Sequence, residues 1–478
     1  MCYEPFTVLA SSPLNLYLVP NKFPNVGMVT VRMGTVSRES GKNSWLLRPL
    51  PIVLATCAVL AFRLFLTIRT EAVNIFYWDQ WDFNDPILFH PQPLWQAFLH
   101  QHGPHRQGLG AFVGLVVGRL SQWNTRTDAF AIGITVVIAS LCALWLKKRL
   151  FGFLAYSDVI IPMLFFTRVQ WETYLGTTNP AHGSLPLLLI VLYCLAWTCR
   201  PAVLKYALVL FLNFLAIYTG FGLFLGFVTP VLLAVDSYNE VRNKHSASSY
   251  ALAACLLSIV SIALFFVGYV REPDCFSFIY SHPASYLLFV SMMFSGFLAA
   301  RGYYFSAVTG SVVLAIFLAA VIIHLARMLG SSNKERNISA SIIILALLGF
   351  SLLFGTGTAT GRVCVESSTG QTSRYMIYLV PAFLGIYLHT LLLQGKLRQV
   401  SITILLVLSF LASFPSGVAH KGQMEKARLV WKNCYLSLED VEQCDEITSS
   451  KIYPAPEATQ LKQKLLYLKQ HRLNLYAK

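Results

Sequence analysis

Charge is what this sequence has least of. Asp, Glu, Lys and Arg together make up 12% of its 478 residues, about half the share of a soluble protein. That shortage excludes an ordinary water-soluble domain of this length. Strict alternation of apolar and polar residues is also missing. Apolar runs near bilayer length recur from Leu50 to Leu411 as continuous stretches, which argues against a barrel of tilted strands. There is no GxxxxGK[ST], no HExxH and no GxSxG, so ATP hydrolysis, zincin chemistry and a serine nucleophile elbow have no support. No short-period repeat occurs, which removes a solenoid. Ten cysteines are present without a CxxC pair. What remains is a chain that is 55% hydrophobic: an all-α, polytopic helical membrane protein.

Apolar windows predict spans at roughly 50–68, 127–146, 151–167, 184–199, 203–219, 221–236, 250–270, 303–326, 339–355, 376–393 and 399–417, about eleven in all, with 10–13 the workable range. The stretch 285–300, between Pro283 and Arg301, is apolar but short and reads as a re-entrant or interfacial helix. Residues 1–47 carry scattered Pro and Ser and no signal-peptide pattern. Two readings stand for them: a disordered cytosolic leader, or an over-extended start with Met28 or Met33 as the true first residue.

The net charge of +15 does not point to nucleic acid, because most of the Lys and Arg sit in short loops and set membrane orientation. Arg32, Arg38, Lys42 and Arg48 precede the first span. Lys147, Lys148 and Arg149, then Arg242 and Lys244, Arg327, Lys334 and Arg336, and Lys396 and Arg398 follow later ones. If 285–300 does not cross, all of them fall on the cytosolic side. The N-terminus is then cytosolic, and loop 69–126 lies outside with residues 108–120 along the surface. The polar tail 418–478 is also outside, where Cys434 and Cys444 could form a disulfide.

Polar groups are costly at a membrane boundary unless something uses them, so the loop 69–126 is where chemistry is expected. Asp79 and Asp82 are three residues apart, with Trp78 and Trp81 beside them. A carboxylate near indoles can serve as a general base; the pair could instead hold a divalent cation. His102, His105 and Arg106 suit phosphate oxygens. Trp171 and Glu172 could receive a sugar. Arg362 and Arg374, with Tyr375, suit a phosphate headgroup on the same side as Asp79. Asp158, His324 and His389, in or near spans, could serve a proton path.

The segments Tyr77-Trp78-Asp79-Gln80-Trp81, His102-Gly103-Pro104-His105-Arg106, Gln170-Trp171-Glu172-Thr173, Gly361-Arg362 and Ser373-Arg374-Tyr375 occur in an order that resembles the GT-C class of membrane glycosyltransferases. The similarity is to a bacterial group of polytopic proteins related to family 39, with YWDxW, HNEHR, QWEN and GR…SRY elements. Two departures stand out: Gly103-Pro104 replaces Asn-Glu, removing an acid, and Thr173 replaces Asn. The resemblance implies a GT-C-like fold in a cytoplasmic (inner) membrane. It also implies transfer of a sugar from a polyprenyl-phosphate donor to a glycan, lipid or protein acceptor at the outer face. In that scheme Asp79 handles the acceptor hydroxyl, and Arg362 and Arg374 stabilise the departing phosphate. A transporter or flippase for a lipid-linked or anionic solute, and a non-catalytic membrane scaffold, are the other readings.

Overall fold

Asn124 accepts a hydrogen bond from Arg126 N at 3.0 Å and opens a 27-residue helix, Thr125–Phe151, which ends at Gly152 in the left-handed region (φ 86°). This is a side-chain cap at one end and a glycine stop at the other. The structure, a computed structural model, describes residues 48–175, 179–242, 247–271, 275, 281–330, 335–414, 418–453 and 460–477. The expected leader 1–47, together with Lys244 and Lys334, lies outside the described residues.

Among the described residues the only strands are the two-residue segments Gln101–His102 and His105–Arg106. Everything else is helix, turn or loop, so the expectation of an all-α membrane protein holds. Among the described residues six helices are long and apolar enough to cross a bilayer: Pro49–Glu71, Thr125–Phe151, Ser248–Phe265, Tyr303–Leu329, Ile338–Arg362 and Gly395–Ser413. Val59, Phe62, Ile322 and Leu397 are each more than half exposed on them; a belt of that kind needs lipid around it. The helix Glu335–Arg362 is instead central, with every residue from Ile342 to Leu348 buried, as expected of a helix enclosed by others.

The window 151–167 is not one helix. Gly152 ends the preceding helix, and the chain continues as a 3-10 turn, Tyr156–Val159, and a six-residue helix, Ile160–Phe165. Pro162 removes a backbone donor there. The helix Pro283–Phe297 starts beside Thr356, whose carbonyl accepts from Tyr286 Oη at 2.7 Å, and ends beside Gln371, whose amide donates to Ser295 Oγ at 3.1 Å. It does not run the length of the bundle.

The loop after the first helix and the C-terminal tail fold together. Phe76, Trp81, Phe83 and Ile87 share one hydrophobic cluster with Trp431, Tyr435, Leu465 and Leu468. The tail forms the helices Val418–Leu438, Val441–Thr448 and Leu461–His471, and Cys434 and Cys444 are disulfide-bonded between the first two. Buried Arg428 donates to Ile75 O at 3.0 Å, and Lys464 pairs with Asp85 at 2.8 Å. Loop and tail therefore form one cap on one end of the bundle.

Candidate functional site

Beneath this cap lies a cavity of about 890 Å³, within the size range of small-molecule and cofactor sites. Its walls come from segments far apart in sequence: Asp79, Asp82 and His100 to His105 in the first loop; His182; Phe221 and Phe224; Phe266, Tyr269 and Arg271; and the segment ending at Arg362, with Arg374, Tyr375 and Tyr378. Asp79, Asp82, His102, His105, Arg362, Arg374 and Tyr375, all singled out from sequence, meet on this one surface.

The histidine element owes its shape to Gly103 and Pro104. Gly103 has φ +57° and precedes Pro104 in a two-residue turn, the place a II′ hairpin gives to glycine. The turn pairs His102 with His105, so both rings fall on one face, with centroids 5.8 Å apart. Beyond it, Gly108 and Gly220 let three backbones pack without side chains between them. A Cβ on Gly220 would lie 2.0 Å from Ala181 O, and one on Gly108 would lie 2.2 Å from Tyr218 O. Gly220 N donates to Arg106 O at 2.9 Å. These close approaches bring residues 181–183 against the histidine hairpin.

Asp79 precedes the short helix Gln80–Phe83 but makes no capping bond. Its half-buried carboxylate accepts no side-chain bond from the described residues. Asp82 is held by the tail: Tyr453 Oη donates to its Oδ2 at 2.9 Å. Glu172 does not line the large cavity. It lies on a smaller neighbouring one, about 240 Å³, with Arg168, Trp171 and Arg301. Glu172 Oε2 accepts from Arg374 N at 2.9 Å, and Glu172 N donates to Ser373 Oγ at 3.1 Å, so Glu172 shapes the turn that presents Arg374. Burial pushes the Glu172 carboxyl up, opposed by the Arg374 guanidinium. Arg374 stacks its guanidinium 5.6 Å from the Tyr375 ring and leaves Nε buried without a partner.

Four expected contact residues are placed elsewhere. Arg106 points away from the cavity and holds the end of the Ser248–Phe265 helix, donating to Phe265 O (2.8 and 3.1 Å), Val267 O (2.8 Å) and Leu99 O. A guanidinium spent on carbonyls at a helix C-terminus is a cap, which corrects its assignment to phosphate. Trp81 is fully buried edge-on to Phe76 at 5.3 Å in the cap core, and Trp78, with φ 48°, is half-exposed outside the cavity. Trp171 belongs to the smaller cavity.

Sequence reasoning missed His182, Tyr453 and the disulfide between Cys275 and Cys364. That disulfide ties the segment after Arg271 to the end of the helix carrying Arg362. The available signal was placement: each residue lies in a polar segment that the Lys/Arg pattern assigns to the same face as Asp79. Among the described residues no group of three or more His, Cys, Asp or Glu is arranged to hold a metal ion. Asp79 and Asp82 alone would have to supply the protein ligands for a divalent cation. No protein-family model matches this chain, and no curated protein matches it.

Proposed function

We propose that this protein is a membrane glycosyltransferase of GT-C type that moves a sugar from a polyprenyl-phosphate carrier to an acceptor at the outer face of a cytoplasmic membrane. The observation that carries this reading is one cavity holding two carboxylates on its loop wall and Arg362 and Arg374 on its helical wall. That division suits the reaction. A carboxylate takes or orients the acceptor's hydroxyl proton, while arginines meet the negative charge that grows on the departing lipid phosphate. A lipid-linked donor reaches such a site from the bilayer and needs no nucleotide pocket.

The proposed topology has eleven passes: the six long helices, the helices Ser184–Ala196, Ala202–Ile217 and Leu223–Arg242, and the broken segments 156–170 and 373–391. Two observations support it. The first loop and the tail share a core, which requires an odd number of passes after a start on the opposite side. Arg149 donates to Thr198 O at 3.2 Å and Arg242 to Leu329 O at 3.3 Å, so these two short-loop arginines lie at helix ends away from the cap, as in cytosolic loops, while the Lys and Arg of the long polar tail do not bear on orientation. A transporter for an anionic solute would use the same arginines, but it needs a path to the other end, and the polar wall described here belongs to one end.

The test is purified protein in detergent, offered a panel of polyprenyl-phosphate sugars. Sugar release that disappears in Asp79→Asn supports the assignment. Uptake of a lipid-linked or anionic solute into proteoliposomes, without sugar release, would replace it with the carrier.

A further inference from the structure

His105 and His182 meet Nε2 to Nε2, with ring centroids 4.4 Å apart and planes at 71°. His105 is sealed on its other side by the Phe221 ring at 4.6 Å. His182 is fixed by the turn before it, where Asn179 Oδ1 accepts from Ala181 N at 2.8 Å and His182 N at 3.2 Å. The charged and titratable groups bearing on the pair are His102 and Asp79 on His105, and His102 and Arg374 on His182. Burial, then the neighbouring imidazoles and Arg374, hold both rings well below the ordinary histidine range, so both are neutral.

A neutral imidazole has one donor nitrogen and one acceptor. The contact therefore has two arrangements. If His182 donates, His105 carries its proton on Nδ1, which is buried and has no partner. If His105 donates, that Nδ1 holds only an unshared lone pair, and His182 carries its proton on Nδ1. A stranded buried N–H is rarer and costlier than an under-used acceptor, so the second arrangement wins. His182 Nδ1 has no protein partner among the described residues, and His182 lines the cavity.

We propose that His182 is a fixed, neutral hydrogen-bond donor to a phosphate oxygen bound beside Arg374, and that His105 is the positioning residue that holds His182 in its Nδ1–H tautomer. The proposal rests on the reading of the cavity as a lipid-phosphate site and adds a recognition residue to it. A neutral donor suits that place because it serves the anion without adding a further cation to Arg362 and Arg374.

The experiment uses full-length protein in detergent, with histidine 15N spectra for tautomers and titrations of a short-chain polyprenyl monophosphate and of inorganic pyrophosphate. Wild-type His182 should show Nδ1 protonated. His182→Ala should weaken binding about tenfold or more, the scale of one hydrogen bond to a charged group. His182→Asn, whose amide N–H falls near Nδ1, should recover most of it and remains informative if the alanine variant misfolds. His105→Leu should shift the His182 proton to Nε2 and weaken binding similarly, while His105→Gln, which keeps a donor near Nε2, should preserve both. Binding of the lipid phosphate alone identifies a headgroup as the ligand, and binding of pyrophosphate alone identifies a free anion; either supports the donor. Nε2-protonated His182 in the wild type, or normal binding by His182→Ala, overturns the proposal. Wild-type protein that binds neither probe overturns the cavity reading beneath it.

Discussion

At the end of the bundle away from the cap, Lys147 and Asp158 pair at 2.9 Å with both side chains almost fully buried. The remaining valences of this pair are filled as well. Tyr387 Oη donates to Asp158 Oδ1 at 2.5 Å, Ala155 N to Oδ2 at 2.6 Å, and Lys147 to Phe153 O at 2.7 Å. His324 bonds Ser341 Oγ at 2.9 Å and His389 at 3.0 Å. Under the cap the pattern reverses. His105 Nδ1 and Arg374 Nε are buried without partners, and Asp79 makes no capping bond. Ser341 and Thr358, 17 positions apart on one helix, put about 25 Å between the two ends. Buried polar groups that the protein completes are architecture, whereas groups left open on a cavity wall are held for something that arrives. By that criterion Asp158, His324 and His389 lose their case as a proton path, and the cap end gains one as the site.

The sharpest way to break this contrast is one carboxylate at each end. Asp79→Asn keeps size and hydrogen bonding but cannot take a proton. Sugar transfer should fall by about two to four powers of ten, with the melting temperature unchanged. Lys147→Met should do the opposite. Breaking a fully buried pair from one side costs about 3–5 kcal/mol, so yield and thermal stability should drop while surviving folded protein keeps its turnover per molecule. Turnover in Asp79→Asn near the wild-type rate, or a stable but inactive Lys147→Met, would reverse the roles of the two ends.

How far this was legible in the sequence depends on what each side chain bonds to. Asp79, Arg362 and Arg374 could be grouped from the chain alone, because the Lys/Arg distribution assigns their segments to one side. Arg106 could not be sorted. Next to two histidines it looks like an anion ligand, and only the position of the Ser248–Phe265 C-terminus, about 160 residues away, gives its donors to carbonyls. Trp81 was likewise ambiguous between a sugar platform and a core residue until the tail supplied the other half of its hydrophobic cluster. The break in 151–167 was more accessible, since Gly152 and Pro162 both stand in that window. His182 was hidden because its partner is 77 residues away and no motif links them.

A smaller effect tests whether the tail is only a lid. Tyr453 donates to Asp82 from the tail, and a hydrogen bond to a charged group contributes about 1.5–3 kcal/mol. Tyr453→Phe should therefore lower transfer about tenfold, with little further loss once Asp82 is already Asn. A full additional loss in the double variant would mean that Tyr453 acts on the substrate and not through Asp82.

The smallest expected effect is a pH slope confined to the cap end. In the unfolded chain His105 and His182 titrate near 6.5, whereas in the folded protein burial and the neighbouring imidazoles hold them well below that. Below pH 6.5, and down to the depressed folded value, the unfolded chain thus binds more protons than the folded one. Stability must fall as pH falls through that window, by about 1.4 kcal/mol per pH unit for each imidazole that stays neutral. Two coupled rings set the ceiling at about twice that, since protonating one changes the other. Thermal midpoints of the wild type measured from pH 7.5 to 5.5 should decline more steeply than those of the His105→Gln/His182→Asn double variant, whose amides do not titrate. Equal slopes would mean that the folded protein accepts these protons, that the two rings are not held neutral, and that the histidine pair, like the Lys147–Asp158 pair, is completed by the protein itself.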